Sequence, residues 1–280
     1  MTETLTHLLS APEWGFLRFA VLVGLLLSPA LGVVGTMVVT RRISSLAGAS
    51  AHAALGGFGL ALFLQRVAGW GWFTPTLGAV IGALAAALAV GAVSMYAKER
   101  EDTIIGAVWA VGMSVGLLFL DRTPGYVDWQ GYLFGNILLL NRTDLYLTLA
   151  LDLVVLLPAV VCFPALLAIS FDDTFARLRG VRAGMLYLGM LALTALTIVL
   201  LINLVGIMLV IALLTLPAAV AGCYARHLKS MMVLTAGFSA LFLTGGVLLS
   251  CFLELPSGPA VVVLSGTVYA ISMGWKRYHK

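Results

Sequence analysis

The chain has 280 residues, of which 61% are hydrophobic and only 10% charged, with a net charge of +4 and a mean hydropathy of +1.08. That composition lies outside the usage of soluble globular domains and places the chain in a bilayer. The basic residues sit at the ends of apolar runs, so the positive charge is a topology signal and no nucleic-acid partner is expected.

The opening MTETLTHLLSAPEWG lacks the positively charged start of a secretory signal, and the apolar run after it is too long for a signal h-region. It is expected to stay as a first helix. A helix crosses the hydrocarbon core with about 20 apolar residues. Nine runs meet that need, at 16–39, 45–65, 73–97, 103–120, 145–169, 183–203, 205–224, 230–252 and 257–275. The expected fold is an all-α polytopic membrane protein, one transmembrane domain over residues 1–280, with no internal repeat at a period of roughly 20 to 50 residues.

Several local features qualify these spans. The linker 121–144 contains an apolar stretch, 132–140, that is too short to cross; with Tyr126, Trp129 and Tyr132 nearby, it predicts an interfacial or re-entrant piece on the outer face. Pro29, Pro158, Pro164 and Pro217 lie within spans and predict kinks or unwound turns. The run 183–224 is too long for one crossing, and a break at NLVG, 203–206, divides it. Gly78 with Gly82, and Gly112 with Gly116, recur at helical spacing and predict close helix approach.

An outside N-terminus puts twelve basic residues inside: Arg41, Arg42, Lys98, Arg100, Arg177, Arg179, Arg182, Arg226, Lys229, Lys276, Arg277 and Lys280. Four remain outside: Arg18, Arg66, Arg122 and Arg142. This bias supports nine spans with the N-terminus out and the C-terminus in; a count of eight would require one pair to be re-read.

No GxxxxGK[ST] loop occurs, so ATP hydrolysis is not expected of this chain, and it is not read as an enzyme. Neither HExxH nor a Cys/His cluster is present, and Cys162, Cys223 and Cys251 stand singly in apolar runs. Ionisable residues at membrane depth are few: His52, in LAGASAHAALGG, and Asp152; Glu254 marks the outer end of the eighth span. His52 is either a packing residue or a metal or proton ligand in a pathway. A neutral imidazole suits zinc and tolerates manganese or iron, whereas an alkali cation favours carbonyls and carboxylates. Asp152 either hydrogen-bonds a neighbouring helix or water, or adds an oxygen ligand to a metal path.

Between the fifth and sixth spans lies FDDTFARLRGV, 171–181. Asp172 or Asp173 can cap a short helix, Phe171, Phe175 and Leu178 share one face, Arg177 lies beside it, and Gly180 can end it. Such a helix fits a groove on a partner, or rests on lipid headgroups.

Six stretches together resemble the membrane subunits of the zinc/manganese/iron ABC permeases: RRISSLAGASAHAALGG, EREDTIIGAVWAVGMSVGLLF, GYLFGNILLL, FDDTFARLRGV, VGIMLVIALLTLPAAVA and LELPSGPAVVV. The similarity runs from about Val33 to the last span. It implies an importer permease fold similar to the cobalamin-type permeases and a bacterial or archaeal cytoplasmic membrane. It also implies a homodimer, a separate ABC ATPase subunit that carries the ATP, and an extracytoplasmic metal-binding protein. No resident cofactor is implied; the divalent metal is cargo. The segment 171–181, with Phe171, Asp172, Asp173, Phe175, Arg177 and Gly180, resembles the family's coupling helix. His52 matches the histidine of a second-helix pattern, G-D-A-L-S-H-A, whose aspartate precedes it by one helical turn. Here that position is Gly48: either another residue supplies the oxygen, the metal is held more loosely or with waters, or His52 has a different role, and losing the hard oxygen ligand tilts the site toward zinc over manganese, with iron still open.

Three rivals remain. A permease for an iron chelate or cobalamin would need a wider path and more than nine spans. An ion-coupled secondary transporter would show inverted repeats and more intramembrane carboxylates. A non-transporting structural subunit would leave His52 and the cytoplasmic helix without a joint explanation.

Overall fold

The computed structural model describes residues 15–96, 101–126, 129–135, 142–171, 178, 180 and 182–278. The described elements, in order, are α1 (Gly15–Thr40), α2 (Ser44–Val67), α3 (Pro75–Tyr96), α4 (Glu101–Arg122), α5 (Trp129–Phe134), α6 (Arg142–Val161), α7 (Phe163–Phe171), α8 (Ala183–Val205), α9 (Ile207–Tyr224), α10 (Leu228–Leu253) and α11 (Ser257–Tyr278). Among the described residues, nine of these helices are long and apolar enough to cross a membrane, all except α5 and α7. At 24 residues, α2 is about 36 Å long, enough to span the hydrocarbon core with some tilt.

Helix ends follow local chemistry. Pro75 opens α3 at the position where its missing N–H costs nothing, and the Thr74 hydroxyl accepts from Leu77 N–H at 3.3 Å. The expected break after the sixth span falls on Gly206, whose φ of +81° is open to glycine and strained for other residues. A β-carbon on Gly135 would stand 2.2 Å from the Val205 carbonyl, so the chain after α5 reaches this break only because residue 135 has no side chain.

The fifth expected span, 145–169, is divided. Its helix stops at Val161 and resumes at Phe163, because Pro164 has no N–H to return to the preceding turn and its ring crowds that turn's carbonyl. The short element in the 121–144 linker is α5. Its Tyr132 is buried and its ring stacks on Phe58 of α2 at 4.3 Å, so this piece packs inward against a spanning helix; burial raises the phenol pKa. Residues 136–140 of the apolar stretch lie outside the described residues.

The chain forms two compact units. One takes residues to Thr36, Phe134–Leu157 and Leu204–Lys280; in it α9, α10 and α11 pack mutually, and Thr36 and Thr235 share a buried hydroxyl bond of 3.1 Å. The other takes Met37–Leu133 and Pro158–Asn203, with α2 central between α3 and α4.

The α2 seams are built of glycine. A β-carbon on Gly57 would meet the Gly78 carbonyl oxygen at 1.9 Å, one on Gly82 the Ala53 oxygen at 2.5 Å, and one on Gly116 the Leu55 oxygen at 2.7 Å. Backbones in such contact gain dispersion energy and inter-helix carbonyl contacts that larger residues forbid. The glycine pairs expected from spacing are these seams.

Candidate functional site

His52 lies near the middle of α2, where its neighbours Gly48, Ala49, Ala51, Ala53 and Gly56 are all buried. Trp109 of α4 supplies the wall that these small residues leave open. Its indole stacks on the imidazole with ring centroids 4.8 Å apart and planes 22° from parallel. Offset stacks of this kind contribute about 0.5–1.5 kcal/mol beyond the area they bury. Nδ1 of His52 is buried and has no hydrogen-bond partner among the described residues. A buried imidazole nitrogen of this sort is either an unsatisfied group or one awaiting a ligand.

Gly48 stands one turn before His52 on the same face, and the indole fills its side-chain space. A β-carbon there would meet Cζ3 of Trp109 at 2.7 Å and Cη2 at 2.9 Å. The family resemblance implies a carboxylate at this position; the sequence did not disclose that an indole fills its place. The only trace was a tryptophan in EREDTIIGAVWAVGMSVGLLF, three residues before a seam glycine.

Asp152, the other membrane-depth candidate, belongs to the opposite unit from His52. It is buried on α6, and its Oδ1 accepts from the backbone N–H of Ala30 in α1 at 3.1 Å. That residue follows Pro29, and Ser28 Oγ donates to the Leu25 carbonyl at 2.7 Å, the acceptor that Pro29 cannot serve. Of the two readings for Asp152, the structure displays the bond to a neighbouring helix. Among the described residues, no group of three or more His, Cys, Asp or Glu side chains is close enough to hold a metal ion.

Asp172, Asp173, Phe175 and Arg177 of the predicted cytoplasmic helix lie outside the described residues, and Phe171 closes α7. Leu178 is exposed, and Gly180 has a φ of +77°, the conformation in which a helix is commonly ended. The flanks of the segment are firmly held. Ile169 and Ala183 are buried together, packed by Leu166, Ala168 and Leu186.

Arg41, in the turn between α1 and α2, donates from Nη1 to the Ile169 carbonyl, and its guanidinium lies 5.3 Å from the ring centre of Tyr187 on α8. Ser170 Oγ reaches Met37 Sδ at 3.8 Å. The approach to 171–181 is thereby tied to the start of the His52 helix, a link that the sequence did not disclose.

The chain matches the model of the ABC 3 transport family over residues 13–276. It is 37% identical to an uncharacterised membrane protein of Synechocystis, over 96% of this chain and 94% of that one. It is 31% identical to the manganese transport system membrane protein MntC of Halalkalibacterium halodurans, over 93% of this chain and 87% of that one. Among solved structures it is similar to PsaBC from Streptococcus pneumoniae in complex with Fab, with a TM-score of 0.82, 27% identity, and coverage of 97% of this chain and 94% of that one.

Proposed function

The chain belongs to the ABC 3 transport family, and on that premise we propose that it is the membrane subunit of an ATP-driven importer that carries a divalent metal ion into the cytoplasm. The observation that carries this reading is the likeness, along almost the whole chain, to a manganese transport membrane protein. The rival permease for chelates or cobalamin is disfavoured by the nine span-forming helices among the described residues.

In this reading two copies form the pathway, the N-terminus is outside and the C-terminus inside, and ATP is bound and hydrolysed by a separate subunit. A metal-binding protein docks on the outer loops, including 121–144, and releases its ion toward α2. His52 offers an imidazole nitrogen in a stretch of α2, 46–57, where Ser50 is the other side chain with a ligand atom, which suits brief contact with a passing ion better than permanent capture. The segment 171–181 sits on the ATPase, and Arg41 relays its movement to the start of α2 through the Ile169 carbonyl.

The test is uptake into proteoliposomes that hold the chain with its ATPase and metal-binding partners, offering zinc, manganese and iron(II) with and without ATP. ATP-dependent accumulation of one or more of these ions is expected. Uptake that proceeds equally without ATP, or no metal uptake by an ATP-hydrolysing complex, would overturn the reading.

A further inference from the structure

The absence of a side chain at residue 48 and the presence of an indole at residue 109 occupy the same space. The β-carbon of any residue 48 other than glycine meets the Trp109 ring at 2.7 Å, and that ring lies flat against His52. The helices have no slack with which to separate. Near His52, a β-carbon on Gly56 would stand 2.7 Å from the Gly112 carbonyl oxygen, and one on Gly112 would stand 2.8 Å from Cα of Ala53. The α2–α4 distance is therefore set by backbone contact, and the pocket beside His52 holds either the indole or a side chain from residue 48.

Resting on the metal-import reading above, we propose that Gly48 and Trp109 together determine specificity: the indole fills the space that a side chain at residue 48 would need, so His52 meets a passing ion with no oxygen donor from that position, and the site selects ions that accept nitrogen ligation over ions that require oxygen. An ion in transit meets one imidazole nitrogen, its own water and an aromatic wall. Manganese depends on hard oxygen donors, whereas zinc binds imidazole well and stands above manganese in the general affinity order. The site therefore favours zinc. Trp109 is 36% exposed, so the indole has room to swing aside when residue 48 grows. That makes the exchange testable by substitution.

The experiment measures the zinc-to-manganese uptake ratio of the full importer in proteoliposomes, for the wild type, Trp109→Ala, Gly48→Ala and the double variant Gly48→Asp/Trp109→Ala. The double variant restores a carboxylate where the indole stood and should move the ratio toward manganese by about tenfold, the lower end of what a changed metal surrounding produces. Trp109→Ala alone, which opens space but adds no oxygen, should move it by less than about threefold. Gly48→Ala pushes on the indole but introduces no polar group, so it should move the ratio no more than Trp109→Ala does. An unchanged ratio in the double variant would overturn the proposal, as would an equal shift in Trp109→Ala and the double variant. These results all require a wild type that moves metal; a wild type that moves none refutes the import reading instead.

Discussion

Asp152 and Ala30, 122 residues apart in sequence, are joined by a hydrogen bond from the Ala30 backbone N–H to Asp152 Oδ1. It falls one residue after Pro29, which α1 runs through, so the carboxylate on α6 grips the α1 backbone beside the proline. Removing the acceptor loses this buried interhelical hydrogen bond, at about 0.5–1.5 kcal/mol. Asp152→Ala should lower the thermal midpoint of the purified chain clearly, whereas Asp152→Asn, which keeps an acceptor oxygen, should stay near the wild type. Equal losses in the two variants would show that the charge, and not the hydrogen bond, is what α1 needs.

The glycine seams make a prediction about position rather than composition. Gly57→Ala places a methyl group 1.9 Å from the Gly78 carbonyl oxygen, so α2 and α3 must part, at about 1–3 kcal/mol or more. Gly106→Ala, on an open face of α4 with no atom within 4 Å, should be neutral. Monodispersity and melting of the two variants in detergent compare them directly, and equal behaviour would contradict the seam.

Arg41 should matter for coupling more than for assembly. Arg41→Leu removes both the bond to the Ile169 carbonyl and the contact with Tyr187. The ATPase should still copurify, while metal moved per ATP hydrolysed falls about tenfold, equivalent to roughly 1.4 kcal/mol of lost coupling. A parallel loss of ATPase binding would place Arg41 in assembly instead.

Phe175→Asp tests the coupling segment itself. A charge on its apolar face should abolish copurification of the ATPase while the membrane subunit stays folded. Normal copurification would count against a docked helix and favour one resting on the membrane surface.

Much of the architecture was legible from sequence because bilayer thickness converts hydropathy into helix length. The break at Gly206, the close approach at Gly78 and Gly112, and the exceptional place of His52 were all visible as residue types at a spacing. Division of the fifth span was harder to place. Pro158 and Pro164 both lie within it, and the chain breaks beside the second while α6 runs through the first. The role of Trp109 was not legible at all, since it depends on which face of α4 meets α2. Arg41 was visible only as one of a count of inside charges; its contact with Ile169 is a tertiary fact spanning 128 residues of sequence.

The most direct measurement is ATP-driven uptake of zinc and manganese by the reconstituted importer carrying His52→Ala, normalised to folded protein and to ATPase bound. The account predicts that uptake falls about tenfold or more while ATPase copurification stays near the wild type and the melting temperature drops only by what the lost stack on Trp109 costs, because the imidazole meets the ion and its Nδ1 has no hydrogen-bond partner among the described residues. Full uptake by a folded His52→Ala importer would contradict it.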